Sequence, residues 1–145
     1  VQANFGLREE LTILGCNIGG INLEGRLRHK PVGSIIAIVA TDAPLMPHQL
    51  KRLARRVPMG LARTGTVGHH GSGDLFLAFS TANEMALSGR SSEFQILPPA
   101  SIDPLFTAVA EATEEAVIDS MVANQTMVGR DGNTCIGLSA DLLRL

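Results

Sequence analysis

Residues 1–5 (VQANF) form a short extended stretch stopped by Gly6, and LTIL at 11–14 reads as a second short strand closed by Gly15. Residues 15–33 hold Gly15, Gly19, Gly20, Gly25 and Gly33 with charges between them, which predicts a long loop. Long loops inside compact domains are usually functional or mobile. The next run, Ser34-Ile35-Ile36-Ala37-Ile38-Val39-Ala40, is almost continuously apolar and rich in β-branched residues. That pattern predicts a central strand covered on both faces.

The period then changes. Pro47 opens a helix over residues 47–64, where its missing N–H costs nothing. Leu50, Leu53, Ala54, Val57 and Leu61 make its apolar stripe, and Pro58 is expected to kink it or end it early. Lys51, Arg52, Arg55, Arg56 and Arg63 flank the stripe as a solvated basic face. A glycine-rich loop at 65–73 (GTVGHHGSG) leads into a second buried strand at 74–80 (DLFLAFS), followed by a polar turn at 81–90. A long helix is predicted over 103–123, capped by Ser101 or Asp103 with Pro104 in its first turn. Its apolar face comprises Leu105, Phe106, Val109, Ala110, Ala112, Ala116, Val117 and Met121. Last, the GRDG turn at 129–132 predicts a hairpin between 126–128 and 134–136. Strands, helix, strand, long helix and hairpin in that order make an α+β layered fold, a buried sheet with helices packed on it.

Composition narrows the picture. Hydrophobic residues make up 45% of 145 residues and charged ones 18%, enough for one domain with a real core and too apolar for disorder. Aromatics are only 3%, so the core is aliphatic and built from small residues. A net charge of −2 gives no polyanion-binding signature, and nucleic acid is not expected as a partner. No apolar run reaches the roughly 18 residues of a membrane span. Cys16 and Cys135 lack any paired or zinc-like spacing and read as free thiols of a reducing, cytoplasmic compartment. Val1 is not an initiator residue, so a preceding segment is expected.

Candidate chemistry sits at two glycine-flanked serines. In the self-processing N-terminal-nucleophile design, a hydroxyl attacks the carbonyl just before it and becomes a new N-terminal residue. A glycine there removes Cβ crowding at the attacked carbonyl and tolerates a strained backbone. Gly33-Ser34 has that form, and the freed α-amine would serve as base beside the hydroxyl. By itself the pair is also what an ordinary turn before a strand looks like. In Gly71-Ser72-Gly73-Asp74 a serine between glycines offers a hydroxyl and backbone donors, and Asp74 could orient a hydroxyl or meet a substrate ammonium. This stretch lacks the GK[ST] of a phosphate loop. Asn4 carries an amide able to donate to an oxyanion, although asparagine also caps turns. His69-His70, with His29 and His48, lacks HExxH spacing or a carboxylate cluster, so no metal or other cofactor is expected.

"VQANFG", "GSIIAIVATDAPLMPHQLKRLARR" and "GSGDLFLAFSTAN", in that order, resemble the self-processing aminopeptidases of the L-aminopeptidase/D-esterase–amidase family, which includes β-peptidyl aminopeptidases. The resemblance runs from Val1 to about residue 125. It implies a four-layer αββα sandwich, N-terminal-nucleophile-like in architecture but differently connected. It implies self-cleavage between Gly33 and Ser34, with residues 1–33 ending a larger subunit and 34–145 forming a smaller one. By the same resemblance Ser34 is the nucleophile, Ser72 and Asp74 are the hydroxyl and carboxylate beside it, and Asn4 donates to the oxyanion. No cofactor is implied. Substrates would be short peptides, amino-acid amides or esters, and the missing upstream part of the same chain would complete an αβ unit within a homo-oligomer. Two alternatives stay open. One is a related self-processing acyltransferase of the ornithine acetyltransferase kind, although that family uses threonine where Ser34 stands. The other is a non-catalytic segment that folds only with its missing partner.

Overall fold

The computed structural model describes residues 1–20, 33–83 and 93–138. Its central sheet has three strands: β1 (Gln2–Asn4), β4 (Ser34–Thr41) and β5 (Leu75–Ser80), in the order β1-β4-β5. Two hairpins contribute β2 (Thr12–Ile13) with β3 (Cys16–Asn17), and β6 (Met127–Val128) with β7 (Thr134–Cys135). The helices are α1 (Pro47–Ala54), α2 (Val57–Arg63) and α3 (Asp103–Val122). β4 and β5 run parallel, with Ile36 opposite Leu75 and Thr41 opposite Ser80. A parallel pair needs a crossover, here α1 and α2. Parallel pairing also brings the N-terminal ends of both strands to the same end of the sheet, which is where Ser34 and the Ser72–Asp74 turn meet.

Strand alternation sorts the sheet into two unlike faces. Ile35 and Ala37 are buried on one face, joined by the half-buried Val39, Phe76 and Ala78. They pack on Leu53, Val57 and Leu61 of α1 and α2, and on Ile102, Val109 and Val117 at α3. The opposite face presents Ile36, Ile38, Leu75, Leu77 and Phe79, each between 43 and 64% exposed. Cover on both faces is therefore not met within the described residues. The three described helices form one layer on one side.

Pro58 has no N–H to offer Ala54, so the expected helix over 47–64 is two helices, with Pro58 in the first turn of the second. The buried Gln49 ties α1 to the core edge: its amide accepts from Met46 N–H at 3.0 Å and donates to the Leu97 carbonyl at 2.9 Å. Arg52 and Arg56 of the basic face lie over the Phe106 ring, 5.0 and 4.1 Å from its centroid. That face is thus partly a cation–π stack that joins α1 and the start of α2 to α3.

α3 departs from its reading in two places. Neither Ser101 nor Asp103 caps it; Ile102 occupies the cap position, with its side chain buried in the core. Ala112, expected in the apolar face, is exposed, and Thr113 is buried instead. Thr113 satisfies its hydroxyl by donating to the Val109 carbonyl at 2.7 Å. Thr113 lies on the same helical line as the buried Val109 and Val117, and it faces Gly60. A Cβ there would stand 2.3 Å from the Ala110 carbonyl and 2.6 Å from the Thr113 Cβ, so its absence lets α2 press onto α3 at that turn. Arg63 and Glu114 pair across the same crossing at 3.1 Å.

The predicted hairpin at 126–136 forms with shorter strands, around a turn with Asp131 at φ 58° and Gly132 at φ 72°. The expected loop over 15–33 is partly strand. Leu14 (φ 51°) and Gly15 (φ 79°) both adopt positive φ, the conformation of a two-residue hairpin turn, and β3 pairs back on β2. Residues 21–32 of that loop, residues 84–92 around the polar turn and residues 139–145 lie outside the described residues. No described helix is long and apolar enough to cross a membrane.

Candidate active site

The end of the sheet that gathers the two strand starts brings the sequence-predicted residues together. Ser34 is the first residue of β4 and is half-buried. Its Oγ accepts a hydrogen bond from the Gly73 N–H at 2.9 Å. Asp74 lies one residue before β5, and its Oδ1 accepts from the Ile35 N–H at 3.1 Å. The same oxygen accepts from the Ser72 hydroxyl at 2.5 Å, the short distance expected when a hydroxyl donates to a carboxylate. Asp74 therefore grips the peptide group that follows Ser34 and fixes the Ser72 rotamer, without bonding Ser34 Oγ itself.

Asn4 comes to the same place from the other neighbouring strand. β1 is antiparallel to β4, and Asn4 stands directly opposite Ser34. Directly opposed residues leave a sheet on the same face, with Cβ atoms about 4.5–5.5 Å apart. By alternation that face carries Ile36, so Asn4 and Ser34 sit at the rim of the open side of the sheet. Gly33 fits beneath Asn4: a Cβ would stand 1.9 Å from the Asn4 carbonyl oxygen and 2.9 Å from the Phe5 Cα. Any larger residue before Ser34 would push β1 away from β4.

Behind the site, the loop from α2 to β5 is braced on the segment that follows β1. Gly65, at φ 101°, lies against the Glu10 backbone, and Thr12 N–H donates to the Thr64 carbonyl at 3.1 Å. His69 Nε2 and Glu10 Oε2 are 2.8 Å apart. His70 and His48 are exposed, and His29 is outside the described residues. Among the described residues no three His, Cys, Asp or Glu side chains gather as metal ligands. Cys16 and Cys135 are free and exposed. A cavity of about 470 Å³ opens between the segment after β1 and the end of α3, but its lining includes Asn4 and none of Ser34, Ser72 or Asp74. It adjoins the candidate site rather than containing it.

Two features of the site were not singled out in the sequence. The Gly73 N–H was covered only by the general expectation of backbone donors around Ser72. Glu10 gave no signal at all, because it is 59 residues from its histidine partner.

The profile of peptidase family S58 matches residues 1–135. The chain belongs to this peptidase family. The β-peptidyl aminopeptidase BapA of Sphingosinicella microcystinivorans is 39% identical to it over 152 aligned positions, covering 92% of this chain and 38% of BapA. Among solved structures, a protein from Pyrococcus horikoshii OT3 superposes with a TM-score of 0.86 at 48% identity, covering 97% of this chain and 39% of its own. The L-aminopeptidase D-Ala-esterase/amidase of Ochrobactrum anthropi superposes with a TM-score of 0.86 at 40% identity, covering 97% of this chain and 40% of its own. That enzyme is described as a prototype for the serine aminopeptidases and a new variant among the Ntn hydrolase fold. This S58 chain thus spans about two fifths of the length of such relatives, and its α+β architecture is part of an Ntn-hydrolase-type fold.

Proposed function

We propose that this chain carries the nucleophile segment of a self-processing serine aminopeptidase. The observation that carries the reading is Ser34 Oγ, presented at the head of a rigid strand immediately after Gly33 and held by the Gly73 N–H at 2.9 Å. In self-cleavage, Ser34 Oγ attacks the Gly33 carbonyl carbon. The Gly33–Ser34 C–N bond breaks, the serine nitrogen takes the hydroxyl proton, and an ester joins Gly33 to Oγ. Water hydrolyses that ester, leaving a Gly33 carboxylate and a free Ser34 α-amine. Residues 1–33 then end a larger subunit and 34–145 belong to a smaller one.

In turnover the α-amine accepts the Oγ proton as Oγ attacks the substrate carbonyl. The proton passes to the leaving amine, and water releases the acyl group. Asn4, on the same face as Ser34, donates its amide to the oxyanion. Ser72 and Asp74 hold the nucleophile's own peptide and offer a hydroxyl beside it. No step draws on a metal or cofactor. The substrates are short peptides, amino-acid amides or esters with a free N-terminal residue. The names of the relatives make L-, D- and β-amino acid derivatives the panel to try. The upstream remainder of the protein supplies a second sheet over the face bearing Ile36, Ile38 and Leu77, closing a four-layer αββα sandwich with the substrate pocket at the seam. Assembly into a larger homo-oligomer of such units belongs to the same proposal.

The test uses the full-length protein. It should separate into two pieces on a denaturing gel, the smaller beginning Ser34-Ile35-Ile36 by terminal sequencing, and should release amine from at least one amide of the panel. An intact chain with full amidase activity, or a cut at another bond, sinks the reading.

The support residues have their own test. Ser72→Ala and Asp74→Asn should each lower turnover on the order of 10²-fold while melting stays near that of the parent. Asparagine retains an oxygen for the Ile35 N–H, so folding and chemistry separate in that variant. Parent-like kinetics in both would return residues 71–74 to the status of an ordinary loop.

A further inference from the structure

Ser72 and Gly73 sit in a loop rich in glycine, which by composition should wander. Yet the Gly73 N–H must stay on Ser34 Oγ and the Ser72 hydroxyl on Asp74 for the site to exist. Backbone contacts at Thr64 and Gly65 hold only the start of the loop. At its far end the restraint is a relay. Glu10 Oε2 meets His69 Nε2 at 2.8 Å, and the His69 carbonyl accepts from the Ser72 N–H at 2.8 Å. Ser72 and Gly73 then reach Asp74 and Ser34. The relay therefore begins on a carboxylate six residues after Asn4, on the segment that also positions the β1 edge.

We propose that the Glu10–His69 pair is a clamp that positions the Ser72–Gly73 turn against the nucleophile, locking the loop to the same segment that delivers Asn4. The inference rests on Ser34 being the nucleophile. His69 and Glu10 are positioning residues, since neither touches Ser34. His69 meets the carboxylate through Nε2, so the clamp is a hydrogen bond between two side chains and draws on no metal. Both side chains are partly exposed, 42 and 29%. Their pairing is therefore worth what a part-exposed side-chain pair is worth, and the loss expected is several-fold, well short of that for a direct transition-state contact.

The experiment compares full-length variants in one amide assay. Cleavage before Ser34 in the parent reads the nucleophile assignment; the ratio of each variant to the parent reads the clamp. His69→Ala should lower kcat about fivefold with KM within about twofold. His69→Gln, whose amide nitrogen can reach the same carboxylate, should recover most of the loss. Glu10→Ala should match His69→Ala, and the double variant should be no slower than either single one. Unchanged kcat in His69→Ala, failure of glutamine to recover it, or losses that multiply to about 25-fold in the double variant would each overturn the clamp. An uncut, inactive parent would overturn the nucleophile assignment and the clamp with it.

Discussion

Replacing Ser34 with alanine is expected to leave the full-length protein as one uncut chain with no measurable aminopeptidase turnover. In the proposed mechanism the Ser34 hydroxyl is the group that attacks the Gly33 carbonyl, and without cleavage no α-amine forms to act as base. Loss of a covalent nucleophile costs on the order of 10⁴–10⁶ in rate. Folding should survive. The change removes one acceptor from the Gly73 N–H, and Gly73 is exposed, so water replaces the lost partner. Stability should shift by less than about 1 kcal/mol. Intact mass spectrometry beside a thermal melt reads both quantities. A Ser34→Ala protein that is still cut at this bond removes Ser34 from the processing step, whatever its role in turnover. Ser34→Thr keeps the hydroxyl but adds a methyl beside Asn4, and should cut more slowly than the parent.

Residues 1–145 expressed alone are expected to be insoluble or self-associated, and inactive even when Ser34 is freed. The open face bears Ile36, Ile38, Leu75, Leu77 and Phe79 side by side across two paired strands. Soluble monomers rarely leave a contiguous apolar patch of more than a few hundred Å² uncovered. The helix layer lies on the other side and cannot reach it. Ile38→Lys with Leu77→Glu, cross-strand partners of opposite charge, should make the isolated segment more soluble. In the full-length protein the same pair should abolish folding, because both charges would then be buried between sheets. Sedimentation of the two proteins with and without the substitutions separates these cases. A monodisperse, cooperatively melting parent segment would mean that its core is complete and the face needs no cover. Full-length protein that tolerates both charges would mean that no second sheet lies there.

Local physics wrote the elements into the sequence. The β-branched run after Gly33, Pro47 at a helix start, Pro58 inside a helical stripe and the GRDG turn each act within a few residues, so pattern alone located β4, the break between α1 and α2, and the last hairpin. The three motif blocks carried the family, and with it the set of candidate residues Asn4, Ser34, Ser72 and Asp74. What the chain could not express locally is pairing. An apolar run on both faces of β4 does not say which face meets helices; that follows from where α1, α2 and α3 pack. Thr113 rather than Ala112 faces the core because α3 packs through the line of Val109, Thr113 and Val117, against an α2 that Gly60 allows close. Asn4 stands opposite Ser34 only through the β1–β4 register, and Gly33 is required there by the closeness of a backbone far earlier in the chain. Glu10 carries no local mark of its bond to His69. Residues that act through neighbours distant in sequence become visible only once the chain has folded, since hydrogen bonds and contacts depend on separation in space.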